Sequence, residues 1–183
     1  IYEYNEPLTV DVTVNNYGNT DAVNAVSTLT SASNYVTIPQ NTYTWSMIPS
    51  QGNASALDAF LIHVNNYVPD QHIAHFTLTT VANGTTFSSQ FSILLNSPKI
   101  VAGNFAVDDA TGGNGDGRID PGETISVTIP FTNNGHCSTS AITAQLISIG
   151  NYITIQNQNL TFPALSVGEG ASATFTFDVS ADI

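Results

Sequence analysis

The chain has 183 residues, 14 acidic side chains and only two basic ones, Lys99 and Arg118, for a formal charge of −12. This balance excludes nucleic acid and insertion into an anionic membrane, because phosphate binding rests on clustered Lys and Arg and no apolar run nears the roughly 20 residues of a membrane helix. One cysteine, Cys137, excludes an internal disulfide and a Cys-rich zinc site, so cations held by oxygen are the expected counter-ligands.

Leu, Ile, Val and Phe alternate with Thr, Ser and Asn, which suits strands with one polar face and is poor material for helices. In chain order the alternation predicts strands near 7–16, 22–32, 34–38, 42–48, 54–64, 72–82 and 85–95. It then predicts strands near 99–107, 123–133, 139–149, 151–156, 160–165 and 171–180. Gly, Asn, Pro and Ser clusters separate them, and helix is expected to be negligible.

The chain also repeats itself. With Glu6 set against Glu123, residues 6–66 match 123–183 without a gap, giving 15 identities in 61 pairs. Leu8 to Val14 faces Ile125 to Phe131, Asn16-Tyr17-Gly18 faces Asn133-Asn134-Gly135, and Asn34 to Ile38 faces Asn151 to Ile155. A period of this size signals tandem domains rather than a solenoid. The expected fold is all-β: two tandem immunoglobulin-like antiparallel β-sandwiches, residues 1–97 and 98–183, joined at Asn96-Ser97-Pro98. In this register the second sandwich lacks the closing hairpin of the first. An open edge follows, and with it the prospect of an edge-strand dimer.

Between Val107 and Thr124, five of the 14 acidic residues fall within the 16 positions 108–123. Such crowding is repulsive unless a cation sits among the carboxylates. Ca²⁺ takes six to eight oxygens from carboxylates, amides and backbone carbonyls. With Gly117 as the turn glycine, Asn114, Asp116, Asp120 and Glu123 fall at the ligand positions of an EF-hand-like loop, and Arg118 offers its backbone carbonyl. The first ligand position holds Gly112, so Asp108 or Asp109 would have to supply that oxygen. One calcium ion in loop 108–123 is therefore expected, and a metal-free, solvated Gly- and Asp-rich turn is the plain alternative.

Other residues invite chemistry less strongly. Trp45, Tyr43 and Tyr35 align with Phe162, Leu160 and Tyr152, as core positions do, which leaves Tyr17 and Tyr67 as the freer candidates for a glycan surface. His72 and His75 are three apart on a strand and so point to opposite faces. His136 and Cys137 are adjacent, and neighbours on a strand diverge. The sequons at Asn53, Asn83 and Asn159 mark turns. No nucleophile elbow, phosphate loop or dinucleotide fingerprint is present, and no catalysis is expected from these residues.

The stretch Asn114-Gly115-Asp116-Gly117-Arg118-Ile119-Asp120-Pro121-Gly122-Glu123-Thr124, followed by an alternating strand and Asn133-Asn134-Gly135, resembles bacterial adhesion-type (CARDB-like) immunoglobulin-like repeats. Repeats of this kind occur in secreted Bacteroidetes-type surface proteins, and similar ones lie downstream of gingipain-like peptidase domains. The resemblance implies an extracellular or cell-surface location, a non-catalytic structural or adhesive role beside neighbouring repeats, and calcium-supported loops. An accessory region of a secreted peptidase or other exported hydrolase, and a carbohydrate-binding module, are the two rival readings, with a protein or glycan ligand left open.

Overall fold

Strict alternation puts one row of side chains on each face of a strand, and two such strands can bury their apolar rows only against another sheet. The computed structural model describes residues 2–4 and 6–182, and among these every regular element is a strand. The chain divides into two compact units, 1–97 and 98–183.

Unit 1 runs β1 (Tyr2–Glu3), β2 (Pro7–Asn16), β3 (Ala22–Ser31), β4 (Val36–Gln40), β5 (Thr42–Ile48), β6 (Gly52–Val64), β7 (His72–Ala82) and β8 (Thr85–Asn96). One sheet has the order β1-β8-β7-β3-β5 and the other β2-β6-β4. All pairings are antiparallel except β1 with β8, where Tyr2 and Glu3 lie parallel to Leu95 and Asn96. The inward rows of both sheets form one core, with Phe60, Phe76, Leu29, Ile62 and Leu95 fully buried. Trp45 joins that core and donates its ring N–H to Ser27 Oγ at 2.8 Å, which satisfies the polar end of a buried indole. Ser27 is itself buried and meets Thr80 Oγ1 at 2.7 Å.

Unit 2 runs β9 (Ile100–Ala102), β10 (Ala106–Gly112), β11 (Thr124–Asn133), β12 (Ile142–Gln145), β13 (Ile153–Ile155), β14 (Asn159–Phe162) and β15 (Gly170–Val179). Strands β10, β11, β15 and β13 form one sheet, β9 sits on the same edge of β11 as β10, and β12 pairs with β14. The strand expected over 99–107 is thus two strands. The break falls at Gly103, whose N–H bonds to Pro130 O at 2.8 Å and whose missing side chain leaves room for the Pro130 ring. The strand expected over 139–149 shortens to β12, and beyond it Ile147 and Ile149 stand exposed.

The gapless repeat needs a correction. Up to Ala56 and Ala173 the ladders agree: Val14 pairs with Ala54 as Phe131 pairs with Ala171, and Val12 with Ala56 as Ile129 with Ala173. Then β6 bulges. Asp58 takes a positive φ of 48°, its N–H bonds to Asp11 Oδ1 at 2.8 Å, and Val10 pairs with Phe60, whereas Val127 pairs with Phe175. A bulge inserts residues into one strand only, so from there Phe60 corresponds to Phe175, Ile62 to Phe177 and Val64 to Val179.

Candidate functional site

The acidic loop leaves the sheet at the end of β10 and returns at the start of β11. Its shape follows from its glycines. Gly115, Gly117 and Gly122 hold φ of 76°, 80° and 84°, a region that side chains disfavour. At Gly113 a Cβ would come within 2.7 Å of the Glu123 carboxyl carbon, so the backbone passes directly over that carboxylate.

Two of the seven candidate residues are buried, Asp109 at 3 % exposure and Glu123 at 8 %. Glu123 spans the loop: Oε1 accepts Asn114 N–H at 2.9 Å and Oε2 accepts Asp120 N–H at 3.1 Å. Both oxygens of Asp109 share the N–H of Gly117, at 3.3 and 3.2 Å. Asn114 links the rest, donating from Nδ2 to Asp120 Oδ2 at 3.1 Å and accepting Asp116 N–H on Oδ1 at 2.9 Å. Asp116 Oδ1 in turn accepts Arg118 N–H at 2.9 Å. No basic side chain pairs with Asp109 or Glu123 among the described residues, and Arg118 is exposed.

Asp108 behaves differently. It is exposed and turns back on its own backbone, accepting Ala110 N–H at 3.0 Å. Of the two adjacent aspartates, Asp109 is therefore the one directed into the loop. The donor set is all oxygen, which is the chemistry of a hard divalent cation. The arrangement is a hydrogen-bonded ring of loop amides and carboxylates. Among the described residues no three Asp, Glu, His or Cys side chains are gathered closely enough to hold a metal ion.

The remaining candidates separate cleanly. Buried Trp45 has no ring face open to a sugar, while Tyr17 and Tyr67 are exposed. Tyr67 packs edge-on against Tyr35 and its hydroxyl accepts from Asn65 Nδ2 at 3.0 Å. His72 meets Ser33 Oγ at 2.9 Å and the Tyr35 ring, whereas His75 meets Ser92 Oγ at 2.8 Å. The two imidazoles thus have different neighbours and share no ligand site. Cys137 is buried and His136 exposed.

Sequence reasoning aligned the Asn-x-Gly corners without seeing their job. Asn133 is fully buried and its Nδ2 donates to Cys137 O, Leu165 O and Ser166 O at 2.9, 3.2 and 3.4 Å. Its Oδ1 accepts Gly135 N–H and Lys99 N–H, both at 3.1 Å. Asn16 repeats the pattern in unit 1, donating to Thr20 O and Ile48 O at 2.9 and 3.1 Å and accepting Gly18 N–H at 2.9 Å. Repetition of Asn-x-Gly at the repeat spacing was the available signal.

At the surface of unit 2, Asp178 accepts from Gln156 Nε2 at 2.8 Å and from Thr124 Oγ1 at 2.7 Å. These bonds, Gln156 first, hold its carboxyl below the ordinary value of 3.8. No protein-family model matches the chain, and no curated protein matches it.

Proposed function

We propose that this chain is a non-catalytic structural or adhesive stretch of a larger secreted or surface protein, with loop 108–123 stiffened by one calcium ion. The observation that carries the reading is the burial of Asp109 and Glu123 in a loop with three further carboxylates and no basic partner for either. A buried carboxylate lacking a counter-charge costs several kcal/mol, and a hard cation bound by oxygen offsets that cost. Asp109, Asn114, Asp116, Asp120 and Glu123 would hold the ion through side-chain oxygens, with Arg118 contributing its backbone carbonyl. Asp108, already committed to Ala110, stands second to Asp109.

The ion would fasten the end of β10 to the start of β11, ordering the connection between them. Affinity in the range of extracellular modules, on the order of 10⁻⁴ to 10⁻³ M, is expected. The immunoglobulin-like reading is supported by unit 1, where β2-β6-β4 and β8-β7-β3 match the B-E-D and G-F-C groupings of such sandwiches, while β5, the extra strand beside β3, follows β4 in the chain and so departs from the immunoglobulin order. The resemblance of residues 114–124 to adhesion-type repeats supports the extracellular setting.

Calcium titration during thermal unfolding tests the proposal. Calcium at 100 times its Kd is expected to stabilise unit 2 by about 2.7 kcal/mol, and the exposed substitution Asp116→Ala is expected to remove most of that gain. A wild-type midpoint that stays fixed up to about 0.1 M calcium, 100 times the weakest affinity expected, overturns the calcium reading.

A further inference from the structure

An Asn or Asp side chain that precedes glycine can close on its own backbone, because the following nitrogen meets no Cβ on its way to the side-chain carbonyl carbon. The chain has four such pairs: Asn83-Gly84, Asn114-Gly115, Asp116-Gly117 and Asn134-Gly135. Their composition makes them alike, and the fold separates them. Attack requires the glycine N–H to give up any hydrogen bond and then its proton, with the side-chain carbonyl lying against it and water at hand.

Two of the pairs are held shut. Gly135 is buried, and its N–H donates to Asn133 Oδ1 at 3.1 Å. Gly117 N–H is shared by both oxygens of Asp109, at 3.3 and 3.2 Å. Gly84 and Gly115 are exposed, and their N–H groups have no partner among the described residues. The preceding side chains then part these two. Asn83 Nδ2 donates to Asp21 O at 3.0 Å, and no N–H among the described residues reaches its Oδ1. Asn114 Oδ1 accepts Asp116 N–H at 2.9 Å, which folds the carboxamide back over the Gly115 peptide. That same N–H bonds more strongly as negative charge grows on Oδ1 during attack, as a donor aimed at an oxyanion does.

We propose that Asn114 is a site of spontaneous modification, deamidating through a cyclic imide. Gly115 N bonds to Asn114 Cγ and loses its proton, the Cγ–Nδ2 bond breaks, and Nδ2 departs as ammonia carrying that proton. Water then opens the imide at either carbonyl, leaving aspartate or its β-linked isomer; the sum is amide plus water to acid plus ammonia. Either product removes the donor that joins Asn114 to Asp120 Oδ2 at 3.1 Å and sets two carboxylates against each other. The β-linked form also lengthens the backbone by one carbon beside Gly113, which passes over the Glu123 carboxylate. A loop holding five acidic residues thereby gains a sixth, irreversibly, and its hydrogen-bonded ring becomes self-repelling. No cation is needed for this step, so it stands whether or not the loop binds calcium.

The test incubates the whole chain in neutral, calcium-free buffer and follows each site by mass. Cleavage after Lys99 and Arg118 places Asn83, Asn114 and Asn134 in three different fragments. Fragment 100–118 is expected to gain the mass of an amide-to-acid exchange first, at Asn114 and not at Asn104, and Asn114→Gln is expected to abolish that early gain. Asn134 should react about tenfold more slowly, since freeing Gly135 N–H adds one hydrogen bond to its barrier. In urea, where the fold no longer separates them, the three Asn-Gly sites should converge. An Asn114 that stays intact in the folded chain while reacting in urea overturns the proposal, as does an Asn83 or Asn134 that keeps pace with it in the folded chain.

Discussion

Unit 1 gathers its apolar side chains into one cluster, from Ala22 and Trp45 through Phe60 to Phe76 and Leu95. Unit 2 divides its own between Phe131, Leu165, Ala173 and Phe175 on one side and Ile125, Phe177 and Val179 on the other, with half-buried Leu146 touching both. The difference is the hairpin β7–β8, which supplies Ala74, Phe76, Leu78, Ala82 and Leu95 to the first core. No such hairpin covers β12 and β14 among the described residues. Leu29 is consequently sealed at 1 % exposure while its repeat partner Leu146 is not, and the position of Thr30 is taken by an exposed Ile147. Like residues at like register therefore do unequal work, because burial is set by what lies above the strand.

The sharpest probe of this contrast is the pair Phe60 and Phe175. Phe60→Ala is expected to destabilise unit 1 by about 4 kcal/mol, within the range for deletion of a sealed aromatic ring. Phe175→Ala is expected to cost nearer 3 kcal/mol, since a smaller, divided core relaxes more readily into the space. Trp45 is the only tryptophan, so its fluorescence follows unit 1 alone during urea unfolding, and hydrogen exchange follows unit 2. Equal losses would break the contrast.

A smaller difference separates the two Asn-x-Gly corners. Asn133→Ala removes five bonds at a buried site, leaving the N–H groups of Gly135 and Lys99 without that acceptor while Leu165 O and Ser166 O keep the N–H of Thr139 and Glu169, and is expected to cost about 3 kcal/mol, against about 1 kcal/mol for Asn16→Ala, where water reaches the groups left behind. A reversed order in urea titration would show that the corners are not graded by burial.

The smallest expected effect concerns acid. Asp178 has no carboxylate counterpart in unit 1, where His63 takes its place opposite Pro7. Because its folded pKa lies below 3.8, its contribution is complete above that pH and fades as pH falls through the lower folded value. Asp178→Asn should therefore flatten the acid limb of unit 2 slightly, leave that of unit 1 unchanged, and have little effect at neutral pH. An unchanged acid limb would assign the Gln156 and Thr124 bonds no part in stability.

Most strands were legible because period-2 alternation and an internal repeat constrain each other: Leu8 to Val14 and Ile125 to Phe131 read as the same inward row twice. Three things escaped for physical reasons. The two-residue β1 pairs across the sheet and carries no alternation to detect. The Asp58 bulge is fixed by a side-chain bond from a distant strand, Asp11, which leaves no local pattern. The break at Gly103 depends on Pro130 facing it. For the acidic loop, residue types and glycine spacing pointed to oxygen chemistry, but choosing between Asp108 and Asp109 needed burial. The Asn133 clamp needed the positions of Cys137 O and Leu165 O, which only the fold brings together.

The scarcity of basic residues has one further consequence. A trypsin-like protease finds only two scissile positions in the whole chain, after Lys99 and after Arg118, and both side chains are exposed. Exposed loop tips are where nicking concentrates, and Arg118 sits in the acidic loop. Between these two bonds lie β9 and β10, complete. Cutting both would turn a covalent edge into a separable strand held by its ladder to β11.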